Sequence, residues 1–228
     1  MLALRDAFFS VMFPDIATCI GCKRKALDIT FPLCSDCHQQ IEYYDPKLAC
    51  IRCGRSYHGG KCPGPNIGHV MALAPYRGYW KEIINLYKFK NYRYLHKGFS
   101  KKISQVLKSN LKAEIDLITY VPVTDKGLKE RGFDQSHLIA KHLSKEIKIP
   151  FAALLHKNDD RPPQRSLDRT ERLKGWEGVL SLNQPDKLQQ KHILIIDDIY
   201  TTGSTLYQCS KKLKAGGAKK ITAFTLAN

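Results

Sequence analysis

Apolar runs separated by polar, glycine-containing stretches divide most of this chain into strands and helices. VMALAPY, residues 70 to 76, reads as a strand. From Trp80 to Leu107, apolar residues at Ile83, Ile84, Leu86, Tyr87, Ile103, Val106 and Leu107 recur at helical spacing. IDLITYVPV, residues 115 to 123, is a buried-type strand, and Thr124 to Gly132 after it reads as a basic loop. Leu138, Ile139, Leu143 and Ile147 mark an amphipathic helix, and Phe151 to Leu155 another strand. The last unit is a strand at 192–197, a helix from Thr202 to Ala215 stopped by Gly216 and Gly217, and a strand from Ile221 to Leu226. Strands alternating with helices from residue 115 onward predict an α/β fold, a mainly parallel sheet flanked by helices. The N-terminal stretch MLALRDAFFSVMFPD is broken by Arg5 and Asp6 and predicts a packed helix, or a weakly interfacial one, rather than a span or a signal sequence.

Charge changes the picture of partners. The 228 residues carry 37 Lys+Arg against 21 Asp+Glu, a formal charge of +16. Such a surplus favours anions: nucleic acid, phosphorylated metabolites or acidic lipid. The stretch KFKNYRYLHKGFSKK places Lys88, Lys90, Arg93, Lys97, Lys101 and Lys102 among Phe89, Tyr92, Tyr94 and Phe99. The charges are expected to meet an anion such as single-stranded nucleic acid. Helical spacing alone accounts for the aromatics as a core face.

Seven of the eight cysteines lie between residues 19 and 62. CIGC (Cys19, Cys22) and CSDC (Cys34, Cys37) are separated by eleven residues and suit one tetrahedral Zn²⁺ site, structural because its four thiolates leave no open position. CIRC (Cys50, Cys53) and Cys62 supply three ligands of a second site. Its fourth is open between His58 and His69, or this half binds no metal. Residues 1–69 are thus read as a Cys-rich zinc-binding module with an N-terminal helix, and 70–228 as an α/β domain. Metal-binding CxxC pairs point to a reducing compartment.

HILIIDDIYTTGST, residues 192 to 205, carries the most chemistry. Ile193 to Ile196 run into Asp197 and Asp198 at the carboxyl end of a parallel strand, where ligands of such sheets sit. Thr201 to Thr205 then open a helix, with hydroxyls, outward backbone N–H groups and Gly203 suited to a monophosphate. Carboxylates beside a phosphate suit sugar hydroxyls, so the run is expected to hold a ribose 5-phosphate-like group. Residues 157–176 are polar and arginine-rich, as a lid over a phosphorylated ligand would be.

IIDDIYTTGST resembles the phosphoribosyl pyrophosphate (PRPP) binding motif of type I phosphoribosyltransferases. VPVTDKGLKERGFDQS, LLHKNDDRPPQRSLDRTERLKGW and the CxxC-rich N-terminus together resemble the ComF family over nearly the whole chain. The resemblance implies a type I phosphoribosyltransferase-like domain preceded by a zinc-ribbon module. It implies that Asp197 and Asp198 contact the ribose hydroxyls and that Thr201, Thr202, Gly203, Ser204 and Thr205 hold the 5-phosphate. Thr124, Asp125, Lys126 and Gly127 would form a pyrophosphate loop, with Lys126 or Arg131 neutralising its charge. Gln164, Arg165 and Arg172 would belong to the lid, and magnesium would accompany PRPP. Asp134 stands where the family has asparagine, and Arg161 where it has threonine.

The implied role is in natural transformation: uptake or cytosolic handling of single-stranded DNA, beside a competence helicase or other DNA-processing proteins. The implied location is the cytoplasm, with at most peripheral membrane association. The implied reaction, glycosyl transfer from PRPP to a nucleobase or amine, displaces pyrophosphate from C1. Thr201 stands where some relatives carry a proton-transferring acid, so binding without transfer remains an open alternative.

Overall fold

The structure, a computed structural model, describes residues 17–26, 32–45, 48–55, 62, 67–110, 114–158 and 179–228. The expected N-terminal helix, His58, and the lid residues Arg161, Gln164, Arg165 and Arg172 lie outside the described residues.

Among the described residues the main sheet has four strands, all parallel: β3 (His69–Ala74), β4 (Leu117–Tyr120), β7 (His192–Ile199) and β8 (Lys220–Ala227). Their spatial order is β3-β8-β7-β4. Two short antiparallel pairs lie outside it: β1 (Ala17–Thr18) with β2 (Lys25–Ala26), and β5 (Leu155–Lys157) with β6 (Leu180–Leu182). The helices are α1 (Ser35–Gln39), α2 (Gly78–Phe89), α3 (Leu95–Asn110), α4 (Asp125–Arg131), α5 (Gln135–Ile147) and α6 (Ser204–Ala215). A 3₁₀ turn at Pro185–Leu188 precedes β7.

β7 shows why the fold forms. Ile193, Leu194, Ile195 and Ile196 are all fully buried, as a central parallel strand covered on both faces requires. Leu194 and Ile196 join one core, with Ile83 of α2, Phe99 of α3 and Ile139 of α5. Ile193 and Ile195 join the other, with Leu206 and Leu213 of α6. The period-two alternation of the strand thus feeds two helical layers.

The cysteine-rich segment packs into both cores. Cys19, Cys34 and Cys37 belong to the α2/α3/α5 face, and Cys53 and Ile67 to the α6 face. The chain between them covers the outer edge of β3: Tyr44 N–H donates to the Leu73 carbonyl, and Val70 N–H to the Ile51 carbonyl. Covering an edge removes its open hydrogen-bonding groups. At the opposite edge Phe151 bridges in parallel to Ile118 of β4.

Two sequence expectations change. Thr124 to Gly132 is not a loop: Thr124 caps α4, its Oγ1 accepting from Gly127 N–H at 3.1 Å, and Gly132 ends the helix at φ +73°. The basic spacing hid a short capped helix. Phe151 to Leu155 is one bridge residue followed by the start of β5 rather than a single strand.

Candidate functional site

Connections from the neighbouring strands β4 and β7 leave in opposite directions. β4 leads through α5 to Phe151, on its outer side, while β7 leads through α6 to β8. The crevice between β4 and β7, at their carboxyl ends, is therefore the topological switch point, where open α/β sheets bind ligands. Asp197 and Asp198 stand at that end of β7, and Val123 and Thr124 follow β4.

The two carboxylates are held differently. Asp197 Oδ1 accepts from Ser136 Oγ at 3.3 Å and from the Asp198 N–H at 2.9 Å. Burial first, and then the charge of Asp198, push its carboxyl up to about 8. Asp198 Oδ2 lies 2.8 Å from Lys88 Nζ, with the side chains only 13% and 14% exposed. Lys88, expected among the DNA-facing lysines, is thus a partner of the candidate site. Its spacing carried the signal: it follows buried Ile84 by four residues, on the apolar face of α2.

The start of α5 completes the wall. Asp134 caps this helix, accepting from His137 N–H at 2.9 Å and from Val123 N–H at 3.1 Å. Aspartate caps as well as asparagine, so the departure at this position keeps the loop after β4 in place. Burial raises the Asp134 carboxyl. Gln135 is buried: its carbonyl accepts from Tyr87 Oη at 2.8 Å and its Oε1 from Arg131 at 3.0 Å. Arg131 also lies over the Phe89 ring. Ser136, Asp134 and Gln135 were not singled out by the sequence reading of the ribose and phosphate groups.

Thr201 to Ser204 turn tightly into α6. Gly203 caps the helix at φ +77°, and a Cβ there would run into the Tyr200 ring and hydroxyl. Thr202 Oγ1 and Ser204 Oγ are 2.8 Å apart, and Thr201 and Thr202 are exposed. The turn presents hydroxyls and the start of a twelve-residue helix outward, an arrangement suited to an anion. In the other segment, Thr124 Oγ1 and Gly127 N–H are engaged with each other, and Asp125, Lys126 and Gly127 lie in the first turn of α4.

Of the other basic residues at 88–102, two are tied down. Arg93 donates to the Gly132 carbonyl at 3.2 Å and to Asn91 Oδ1 at 2.7 Å, and lies over Phe133. Lys102 sits over the Tyr43 ring, and burial lowers its ammonium. Lys90, Lys97 and Lys101 are exposed. The aromatics also divide: Phe99 is core, whereas Phe89 is 63% and Tyr94 57% exposed, against the expectation of a common core face.

The sulfurs of Cys19, Cys22, Cys34 and Cys37 all lie within 4.8 Å of one another. Cys22 and Cys34 are 3.7 Å apart, about the edge of a sulfur tetrahedron around zinc with bonds of ~2.3 Å. Cys34 N–H donates to Cys19 Sγ, and Arg24 Nε donates to Cys22 Sγ at 3.3 Å. That guanidinium holds the Cys22 thiol down at about 6, and burial pushes Cys37 up to about 12. The donor set fits zinc, which bound here would be a structural cross-link. Cys50, Cys53 and Cys62 form a second cluster within 4.8 Å. His69 is not part of it; it lies near Lys220, Glu114 and His192 at the amino end of the sheet.

A parallel sheet with its polar residues at this crevice, preceded by a cysteine-rich segment fit for zinc, defines a type I phosphoribosyltransferase-like protein. Residues 134–228 match the Phosphoribosyl transferase domain family. The chain is 30% identical over 202 residues to Competence protein ComFC of Streptococcus pneumoniae, covering 85% of this chain and 86% of that one. It is 24% identical over 206 residues to DNA utilization protein YhgH of Escherichia coli, covering 85% and 89%. A solved glutamine PRPP amidotransferase from B. subtilis is similar at 21% identity and a TM-score of 0.41, over 57% of this chain and 26% of that one. The chain belongs to the ComF family of competence proteins.

Proposed function

We propose that this protein handles single-stranded DNA during natural transformation and carries a PRPP-binding site in the crevice between β4 and β7. The relatives' names, competence protein and DNA utilization protein, support the first part. One observation carries the second: Asp197 and Asp198 at the switch point lead within five residues to the left-handed Gly203 at the start of α6. Asp197 and Asp198 take the ribose hydroxyls, Thr201 to Thr205 the 5-phosphate, and Lys126 or Arg131 the pyrophosphate. Lys88 neutralises Asp198 until a sugar and its magnesium arrive. The neutral Thr201 leaves proton transfer without an assigned group, which favours PRPP as a bound regulator over PRPP as a turned-over substrate.

Calorimetry with PRPP and Mg²⁺ tests the site. The double variant Asp197→Ala, Asp198→Ala is expected to lose binding while its circular dichroism stays that of the parent. Undiminished affinity in that variant would remove the ribose assignment. Pyrophosphate release with nucleobase or amine acceptors would replace the regulatory reading with a transferase.

A further inference from the structure

The loop assigned to the 5-phosphate is braced by the second cysteine cluster. At its side, Arg55 Nη2 donates to the Thr201 carbonyl at 3.3 Å. Arg55 is itself fixed in the cysteine turn, its carbonyl accepting from Cys50 N–H at 2.7 Å. Among the described residues no carboxylate pairs with it. Beneath the loop lies Tyr200, buried against the same core as Cys50, Cys53 and Cys62, its hydroxyl without a hydrogen-bond partner among the described residues and aimed at Gly203. The turn is anchored to the sheet as well: Asn228 Nδ2 donates to the Cys53 carbonyl at 2.7 Å.

An unneutralised guanidinium at the rim of a loop rich in hydroxyl and amide donors is an anion-binding element. We infer that Arg55 is a further phosphate-binding residue, supplied to the phosphoribosyltransferase-like site by the cysteine-rich segment. The metal-fit cluster Cys50, Cys53 and Cys62 holds that arginine in register with the loop. The ligand is a phosphate monoester dianion on the 5-position of a ribose, so this rests on the reading of Thr201 to Thr205 given above. A metal at the second cluster then acts on ligand affinity as well as on stability. Without it, the three sulfurs, within 4.8 Å of one another, have no ion to cross-link them, and the turn that carries Arg55 loosens.

Titration of the full, zinc-loaded chain with ribose 5-phosphate and with PRPP·Mg²⁺ decides the matter. Arg55→Ala is expected to weaken both by about tenfold, the scale of one hydrogen bond to a charged group. Arg55→Lys should fall between, and the zinc content of both variants should equal that of the parent. With cobalt in place of zinc, ribose 5-phosphate should perturb the thiolate-to-metal absorption in the parent and not in Arg55→Ala. If the parent binds and Arg55→Ala binds equally well, the role of Arg55 falls and the 5-phosphate site stands. If the parent binds neither compound, both fall. If Arg55→Ala sheds zinc, its effect is structural and the phosphate contact is overturned.

Discussion

Asp197 shows how one residue's surroundings set its chemistry. A carboxyl that ordinarily ionises near 3.8 is pushed up to about 8, because burial and Asp198 both oppose its charge. The folded state therefore binds a proton that the unfolded chain has released. Its contribution to stability is intact below 3.8 and is lost as pH rises through about 8. Asp197→Asn should remove this dependence: the ligand-free parent should melt progressively lower as the pH rises from about 5 to about 9, and the variant should change less. Thermal melts across that window check it, and equal slopes would mean that Asp197 is ionised in the fold. Adding PRPP·Mg²⁺ should shrink the difference, since a bound cation favours the carboxylate. Nothing in the string DD announces such a shift. It depends on the burial that the fold supplies, which outweighs the opposing pull of Lys88 and Ser136 from distant parts of the chain.

At the scale of elements, the strand–turn–helix from His192 to Ala215 was legible because its signals are local: an apolar run, a turn with glycine, a paired-glycine stop. α4 was not, because its evidence is a capping hydroxyl and a terminal glycine inside a segment dominated by charge. Which charges face solvent was legible only in part. Lys88 and Lys102 are drawn inward by Asp198 and Tyr43, and Arg93, though exposed, is held over Phe133, partners that come from distant segments. Lys97 and Lys101 of α3 and Lys145 of α5 line one surface cavity of about 450 Å³ together with His142 and Glu146. Single-strand binding should follow this division. Replacing Lys97 and Lys101 by Gln should reduce the slope of log K against log salt by about 0.7 for each phosphate that is no longer neutralised. Lys88→Met should leave the slope unchanged and lower stability by about 1–3 kcal/mol, since it leaves Asp198 buried without its partner. A slope that falls with Lys88→Met would return that residue to the DNA face.

For the whole molecule, the cysteine pairs and the sheet could be named from the sequence as neighbours along the chain, but not as sharers of the same two cores. Cys34 and Cys37 pack with Ile83 and Phe224, and Cys53 with Ile195 and Leu206. Metal removal is therefore expected to destabilise the sheet as well as the cysteine turns. With a chelator present, calorimetry should show one transition at lower temperature. An unchanged main transition beside a small early one would show an independent zinc module instead. No helix among the described residues is long and apolar enough to cross a membrane.

The pairing of β3 with β8 has a consequence for synthesis. His69 finds Thr222 only after nearly all of the sheet has been made. Until then the cysteines of residues 19–62 have left the ribosome with no strand to pack on. Such distant pairing forms late, and free thiolates are open to oxidation in the interval. Early capture of zinc by the nascent Cys19–Cys37 turn, which needs only local chain, would shield its thiols while the rest is translated. The metal would then serve the unfinished protein as a chemical guard before it serves the finished one as a brace.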